Sequence, residues 1–520
     1  QQGNAMNRQI RQLAATLIAL YVVLFAALNY WQLNRTEELA SEPGNTRALI
    51  RQFDRPRGPI VSADGVVTAR SVQAPGDSDV RFVRTYPTGD LFAHITGYYT
   101  FGLGATQLEQ TKSGVLTGDT FTQQVRALES LFSSDRDNSG ELRLTVREDM
   151  QAVAKFLLGP REGSIVLMEV DTGAVTAMWS WPSFDPNLVA DPDYDAAFDY
   201  VTELQADERD PLLAHSYQER YMPGSTFKVL TTGAGLDAGV VTPETEFERT
   251  TEWIPPQTND PIQNYNGTNC GGDLFEVFTR SCNIPFAQIA VELGPERFPE
   301  YIERWGVESP VPIDLPDPAS STIGEQSADA LPILAISGFG QANDQMVPLH
   351  MAMVAATVAN DGVMLKPFVV DAELDHNGRV VSRTQPEVWQ RPISRRTASI
   401  LQDFMVGVAE VGTASCCIAL DDGIPVAAKT GTAQLNSPGE PERSHAWIVA
   451  YAPADDPQYA VAVMLKGTNA EISAGTGGRL AGPIAKQMLD AVFRVDPPPS
   501  TSEPDGEASA STTTDAANDQ

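Results

Sequence analysis

Tyr221-Met222-Pro223-Gly224-Ser225-Thr226-Phe227-Lys228-Val229-Leu230 is the stretch from which this chain is read. Pro223-Gly224 ends whatever precedes it, and the apolar run after Ser225 continues as a buried helix. Ser225 then falls in the first turn, with Lys228 one turn on and on the same face. A hydroxyl and an amine become neighbours in an apolar wall. Serine is a weak nucleophile until a base takes its proton. Lysine is such a base only when desolvation or nearby cations lower its pKa from about 10.4. A helix apolar on nearly all sides supplies that burial, and its N-terminus favours the oxyanion formed when Ser225 attacks a carbonyl. Taken alone, Ser-x-x-Lys is an ordinary helix start. Its weight comes from two further motifs.

Downstream stand Ser281-Cys282-Asn283 and then Lys429-Thr430-Gly431-Thr432. Ala427-Ala428 before the second of these and Ala433 after it give it a strand-like setting. The ordered triple is the set that β-lactamases and penicillin-binding proteins use. Each part has a physical task. Ser225 attacks an amide-type carbonyl and a neutral Lys228 takes its proton. Ser281 relays that proton to the departing amine, and Asn283 holds substrate and Lys228 in register. Lys429 places a fixed positive charge where a substrate carboxylate binds, with Thr430 and Thr432 adding hydroxyl donors. The backbone N–H groups of Ser225 and Thr432 would form an oxyanion hole, worth about 3 kcal/mol per donor. That requires the Lys429 strand to edge the cleft.

Outward from these motifs, the N-terminal part decides the compartment. Leu13 to Leu33 is predominantly apolar and free of charge, the roughly 20 residues a spanning helix needs. Tyr30 and Trp31 suit an interfacial belt. Arg8 and Arg11 precede the stretch while Glu37, Glu38 and Glu42 come after it, which puts the N-terminus in the cytoplasm. The stretch is long for a cleaved signal, and no small-x-small site precedes Asn34. The expected layout is a cytoplasmic segment 1–12, a single anchor 13–33, a mixed spacer or docking domain 34–140 and an α/β domain 141–495. An acidic tail 496–520 without a basic residue completes it and reads as disordered. With 68 acidic against 36 basic residues and a net charge of −32, nucleic acid is excluded as a general partner.

An oxidising compartment permits disulfides among the four cysteines, and three pairings are open to them. Cys270–Cys282 is the pairing favoured; Cys416 and Cys417 are expected to stay free, buried thiols. Within the α/β domain, Leu142-Arg143-Leu144-Thr145-Val146 alternates like a strand and Asp149 to Leu158 reads as a helix. Ser164 to Val170, Asp171-Thr172-Gly173 and Ala174 to Met178 make a hairpin. Leu349 to Ala359 reads as a helix stopped by Asn360-Asp361-Gly362, Tyr459 to Leu465 as a buried strand, and Ala481 to Phe493 as a closing helix. The five histidines lack metal-ligand spacing and are assigned structural roles, and no metal or cofactor is expected. Gly475-Thr476-Gly477-Gly478 reads as a turn before the last helix.

The three motifs, Arg57-Gly58-Pro59-Ile60 through Gly65, Gly338-Phe339-Gly340-Gln341 and His445-Ala446-Trp447 together resemble class B penicillin-binding proteins, and in layout the actinobacterial A-type members. The resemblance runs from the anchor to about residue 495. It implies a serine-acyltransferase fold of the penicillin-binding and β-lactamase kind: an α/β/α transpeptidase domain on an N-terminal mixed α+β, dimerisation-like pedestal with one transmembrane helix. It implies D,D-transpeptidation of peptidoglycan stem peptides through a serine acyl-enzyme, acylation by β-lactams, an extracytoplasmic catalytic domain, and a SEDS-family glycosyltransferase as membrane partner. Cysteine at 282, and phenylalanine at 339 where Gly-Gln-Gly is usual, depart from the pattern. Three enzyme or sensor readings share the chemistry. A β-lactamase must deacylate with water and needs no anchor; a D,D-carboxypeptidase shares all three motifs; a β-lactam sensor would signal through a large cytoplasmic part. A catalytically silent scaffold for the glycosyltransferase has no chemical need of the intact set.

Overall fold

Strand-period apolar runs at Leu142, Leu144 and Val146, at Ile165 to Met168, and at Val175 to Trp179 all lose their side chains to the interior. The two main sheets grow from them. The structure, a computed structural model, describes residues 12–25, 27, 53–76, 80–119, 139–327, 329–436 and 443–496. The expected cytoplasmic segment up to residue 11 and the acidic tail beyond Asp496 lie outside the described residues. Of the expected anchor, residues 12–25 and 27 are helical, with apolar side chains from Leu13 to Phe25 exposed, and the rest lies outside. Among the described residues no helix is long and apolar enough to cross a membrane.

The pedestal is built on β1 (Ile60–Val61), β2 (Val67–Gln73), β3 (Phe82–Thr85) and β4 (Glu141–Leu144). β1 lies parallel to β4 and antiparallel to β2. Behind them the chain enters α1 (Glu148–Leu158), then β5 (Gly163–Glu169) and β6 (Val175–Trp181), the hairpin expected from sequence. α2 (Tyr194–Ala206) is next. A helical lobe comes after it: α3 (Lys228–Asp237), α4 (Leu274–Thr279), α5 (Ile284–Glu303, broken at Gly294), α6 (Leu331–Ser337) and α7 (Pro348–Ala359). The chain then returns to the pedestal with β7 (Val370–Leu374) and β8 (Val380–Arg383), which complete its sheet in the order β8-β7-β4-β1-β2-β3. This sheet takes strands from both sides of residue 140.

The remaining elements are α8 (Arg395–Glu410), β9 (Ala427–Gln434), β10 (Ser444–Ala452), β11 (Tyr459–Leu465) and α9 (Gly482–Val495). The central sheet is antiparallel, in the order β9-β10-β11-β5-β6. β10 and β11 are buried at every residue, as strands covered on both faces must be. α7 packs on β5, β10 and β11; α1 and α9 pack together on the sheet from the terminal side. This is the α/β/α arrangement expected. β9 is left at the sheet's edge, against the helical lobe.

One expectation about the cysteines fails. Cys416 and Cys417 are joined in a vicinal disulfide, not free, and they lie toward the surface rather than buried. The turn after α8 brings two adjacent side chains together, a local closure that reasoning from long-range pairing does not anticipate. Cys270 and Cys282 are also joined, with Cα atoms 5.8 Å apart.

Candidate active site

Ser225 lies on a single 3-10 turn, Gly224–Phe227, and the α-helix proper begins at Lys228. The expected spatial relation survives this change, because three residues make one 3-10 turn and residues i and i+3 eclipse. Two glycines let the turn approach β9. Gly224 has φ +55°, and a Cβ there would meet the Thr432 carbonyl oxygen at 2.5 Å. At Gly431 a Cβ would come within 2.7 Å of the Pro223 carbonyl oxygen. The Gly224 N–H donates to the Gly340 carbonyl at 2.9 Å, and the Trp447 indole N–H to that of Met222 at 3.0 Å. The nucleophile turn is thus clamped between the edge strand, β10 and the Gly338–Gly340 loop.

Lys228 is fully buried. Its amine donates to the Ser281 carbonyl at 2.8 Å, to Asn283 Oδ1 at 2.9 Å and to Ser281 Oγ at 3.3 Å. The Ser225 hydroxyl is not among these partners, and the amine is bound to the second motif. Lys429 is equally buried, and its amine donates to the same Ser281 Oγ at 2.9 Å and to the Thr430 carbonyl at 3.0 Å. Each amine sits over an aromatic ring, Lys228 5.2 Å from that of Phe286 and Lys429 5.7 Å from that of Phe278. Burial, and then the neighbouring Lys429 cation, hold the Lys228 amine well below the ordinary lysine pKa. Burial alone brings Lys429 down to about 7. Among the described residues neither amine forms an ion pair.

Ser281 has φ +60°, left-handed backbone that costs a non-glycine residue of order 1–3 kcal/mol. Its surroundings hold it there: the Ser281 N–H donates to Phe278 O at 3.1 Å, that of Cys282 to Val277 O at 3.0 Å, and Cys282 is tied to Cys270.

A cleft of about 250 Å³ opens over these groups. Ser225, Ser281, Asn283, Thr430 and Thr432 line it, together with Gln434 farther along β9. Lys228 and Lys429 lie beneath, and the third motif presents its hydroxyls, not its ammonium, to the cleft. Thr430 and Thr413 share a hydroxyl hydrogen bond of 2.6 Å. Tyr265, Arg280, Phe339, Gln341 and Thr413 complete the wall, and sequence reasoning assigned none of them a place there. Nor did it place Thr476, Gly477 and Gly478, which also line the cleft; the Gly477 N–H donates to Thr432 Oγ1 at 3.3 Å. A glycine turn carries no signal of what it folds against. Four of the five histidines are buried in packed surroundings and His376 is exposed; His350 is bonded to Trp305 O and the Ser321 hydroxyl, each at 2.8 Å, with its pKa lowered by burial to about 4.

Comparison with known proteins agrees with this arrangement. A family model of the penicillin-binding protein transpeptidase domain matches residues 163–490, and one of the penicillin-binding protein A dimerisation domain matches residues 57–142. The peptidoglycan D,D-transpeptidase PbpA of Mycolicibacterium smegmatis is 35% identical, over 94% of this chain and 99% of its own. The ceftriaxone acyl-enzyme structure of penicillin-binding protein A from M. tuberculosis has a TM-score of 0.79 and 31% identity, covering 85% of this chain and 99% of that one. A D,D-transpeptidase domain from Eggerthella lenta has a TM-score of 0.72 at 28% identity, covering 85% of this chain and 99% of that one. With its domain matches, its similarity along nearly its whole length and the shared fold, this chain belongs to the penicillin-binding protein transpeptidases.

Proposed function

We propose that the protein is a serine-type peptidoglycan D,D-transpeptidase that cross-links stem peptides through an acyl-enzyme, and that β-lactams acylate the same serine. The observation that carries this reading is the meeting of two buried amines, Lys228 and Lys429, on one hydroxyl, Ser281 Oγ, at 3.3 and 2.9 Å in the cleft that Ser225 lines. Burial and the neighbouring Lys429 amine lower the Lys228 pKa, which favours the neutral form that accepts a proton. In acylation Ser225 Oγ attacks the amide carbonyl of the donor peptide and its proton passes to the Lys228 amine. The C–N bond breaks, and the departing amine takes a proton through Ser281. The acceptor's amine then attacks the ester, returns a proton along the same path, and releases Ser225. Asn283 holds Lys228 and the substrate backbone in register. Thr430 and Thr432 receive the substrate carboxylate at the cleft wall, over the Lys429 charge, and Gly431 lets β9 approach the nucleophile turn. The N–H groups of Ser225 and Thr432 are assigned to the oxyanion. Among the described residues no carboxylate lines the cleft, which favours transfer to an amine over hydrolysis by an activated water.

The exposed apolar side chains of the N-terminal helix support a single membrane anchor over residues 13–33, with the N-terminus cytoplasmic and the catalytic domain outside. On this layout residues 34–140 supply most of the pedestal, whose sheet also takes β4, β7 and β8 from the 141–495 catalytic segment, and a SEDS-family glycosyltransferase in the same membrane is the partner it suits. The test is labelling by a fluorescent penicillin. The native chain labels; Ser225→Ala does not, while its circular dichroism and melting temperature stay native. Labelling that persists in Ser225→Ala removes the assignment.

A further inference from the structure

The catalytic roles just assigned to Lys228 and Asn283 leave the start of α5 short of its ordinary cap. The first N–H groups of a helix have no partner within it, and a buried one is costly to leave unmade. Asn283 occupies the position from which an asparagine ordinarily caps its own helix, yet its side chain makes no capping bond. Both ends of its amide are engaged elsewhere: Oδ1 accepts from Lys228 Nζ at 2.9 Å, and Nδ2 donates to Gln263 O at 3.1 Å. Pro285 has no N–H, and the N–H groups of Phe286 and Ala287 donate to Asn283 O, both at 3.1 Å. The N–H groups of Asn283 and Ile284 remain. Both donate to one atom, Asn264 Oδ1, at 2.8 and 3.2 Å.

Asn264 comes from another part of the chain and is itself only 3% exposed. Its Nδ2 donates to Thr250 O at 2.9 Å and to Thr268 O at 3.2 Å, so oxygen and nitrogen each face the right partners. Its loop is fixed from both sides. Thr250 is paired with Cys270 across a two-strand ladder, and Cys270 is tied to Cys282.

We propose that Asn264 is a positioning residue for the reaction: by accepting from the Asn283 and Ile284 N–H groups it holds the backbone that carries the Asn283 amide, so that the amide stays on Lys228. Without it these two buried N–H groups lose their partner. The backbone shifts to find another, and the amide leaves the lysine. This inference rests on the catalytic reading above, and its test separates the two.

The measurement is the second-order rate constant for acylation of the full chain by a fluorescent penicillin, in Asn264→Ala, Asn283→Ala and the double variant. Asn264→Ala slows the native enzyme by about tenfold or more, and slows the Asn283→Ala enzyme by less than about twofold, because the amide it positions is already gone. Equal slowing in both backgrounds, the mark of a merely structural residue, overturns the proposal, as does no slowing in either. Failure of the catalytic reading shows separately, as labelling of Ser225→Ala. Should Asn264→Ala not fold, Asn264→Asp decides. It keeps the oxygen that faces the two N–H groups and adds a negative charge one hydrogen-bonded residue, Asn283, away from Lys228, which favours the protonated amine. Its acylation rises at higher pH than in the native chain, and at the alkaline limit comes within about threefold of native. A uniformly low rate with the rise unmoved overturns the proposal.

Discussion

At the scale of single residues, the chemistry turns on two amines competing for one hydroxyl. Both are cut off from water, and like charges so close cannot both be held cheaply, so the pair gives up one proton early. In the proposed mechanism Lys228, held by burial and the Lys429 cation well below the ordinary lysine range, gives it up, and Lys429, brought by burial to about 7, keeps its own. Two opposite pH dependences result. Acylation needs Lys228 neutral, so it rises with pH through a value below the ordinary lysine range. Capture of a carboxylate needs Lys429 charged, so the second-order constant falls again above about pH 7, while the rate at saturation, where the bound carboxylate holds the proton on, does not. Lys429→Ala lowers the second-order constant by about tenfold or more and removes the falling limb. An unaltered limb in that variant would contradict the role. Ser225, Lys228, Ser281, Asn283 and the Lys429 motif were singled out in the sequence by their types and order, and the fold brings them to one cleft. Asn264 was not, since a lone asparagine in a turn-rich stretch looks the same whether it caps its own loop or a distant helix.

Elements set the distances between these residues. The Ser225 turn and β9 touch through Gly224 and Gly431, where any side chain would collide with backbone. Gly431→Ala forces them apart by a few tenths of an ångström or more, and acylation falls by about tenfold or more because misplacing reacting groups is expensive. Stopped-flow acylation checks it, and a native rate would show that the two elements do not need their close approach. The second motif depends on a staple as well. Replacing Cys270 and Cys282 together by serine releases a short loop and costs about 3 kcal/mol in the chain-entropy account, read as a lowered unfolding midpoint in denaturant. The strands β5, β6, β9 and β11 and the helices α1, α7 and α9 were visible in advance, marked by apolar runs and an Asn-Asp-Gly stop, whereas β10 was not read as a strand. The place of Thr476, Gly477 and Gly478 at the cleft and the Cys416–Cys417 closure were not, because each depends on what a turn meets in space or on a local geometry that spacing rules ignore.

For the molecule as a whole, the pedestal is joined to the catalytic part by a sheet that neither could complete alone. Within the pedestal Glu109 lies between two guanidinium groups, 2.6 Å from Arg57 and 2.5 Å from Arg84, with all three side chains nearly or wholly buried. Glu109→Gln leaves two buried cations without their carboxylate and costs about 3–5 kcal/mol of stability, measured by chemical unfolding; a change under about 1 kcal/mol would show that the cluster is open to water. The boundary near residue 140 was read from the change of pattern there, and strands contributed from residue 370 onward cannot be seen as partners until the chain is folded. The central claim is that an alcohol in this cleft is made reactive by an uncharged amine beneath it, and intact-mass spectrometry of the native chain with benzylpenicillin tests it most directly. The account predicts a gain equal to the whole antibiotic, borne by the peptide that contains Ser225 and persisting for hours; no gain, or an adduct on another peptide, would contradict it.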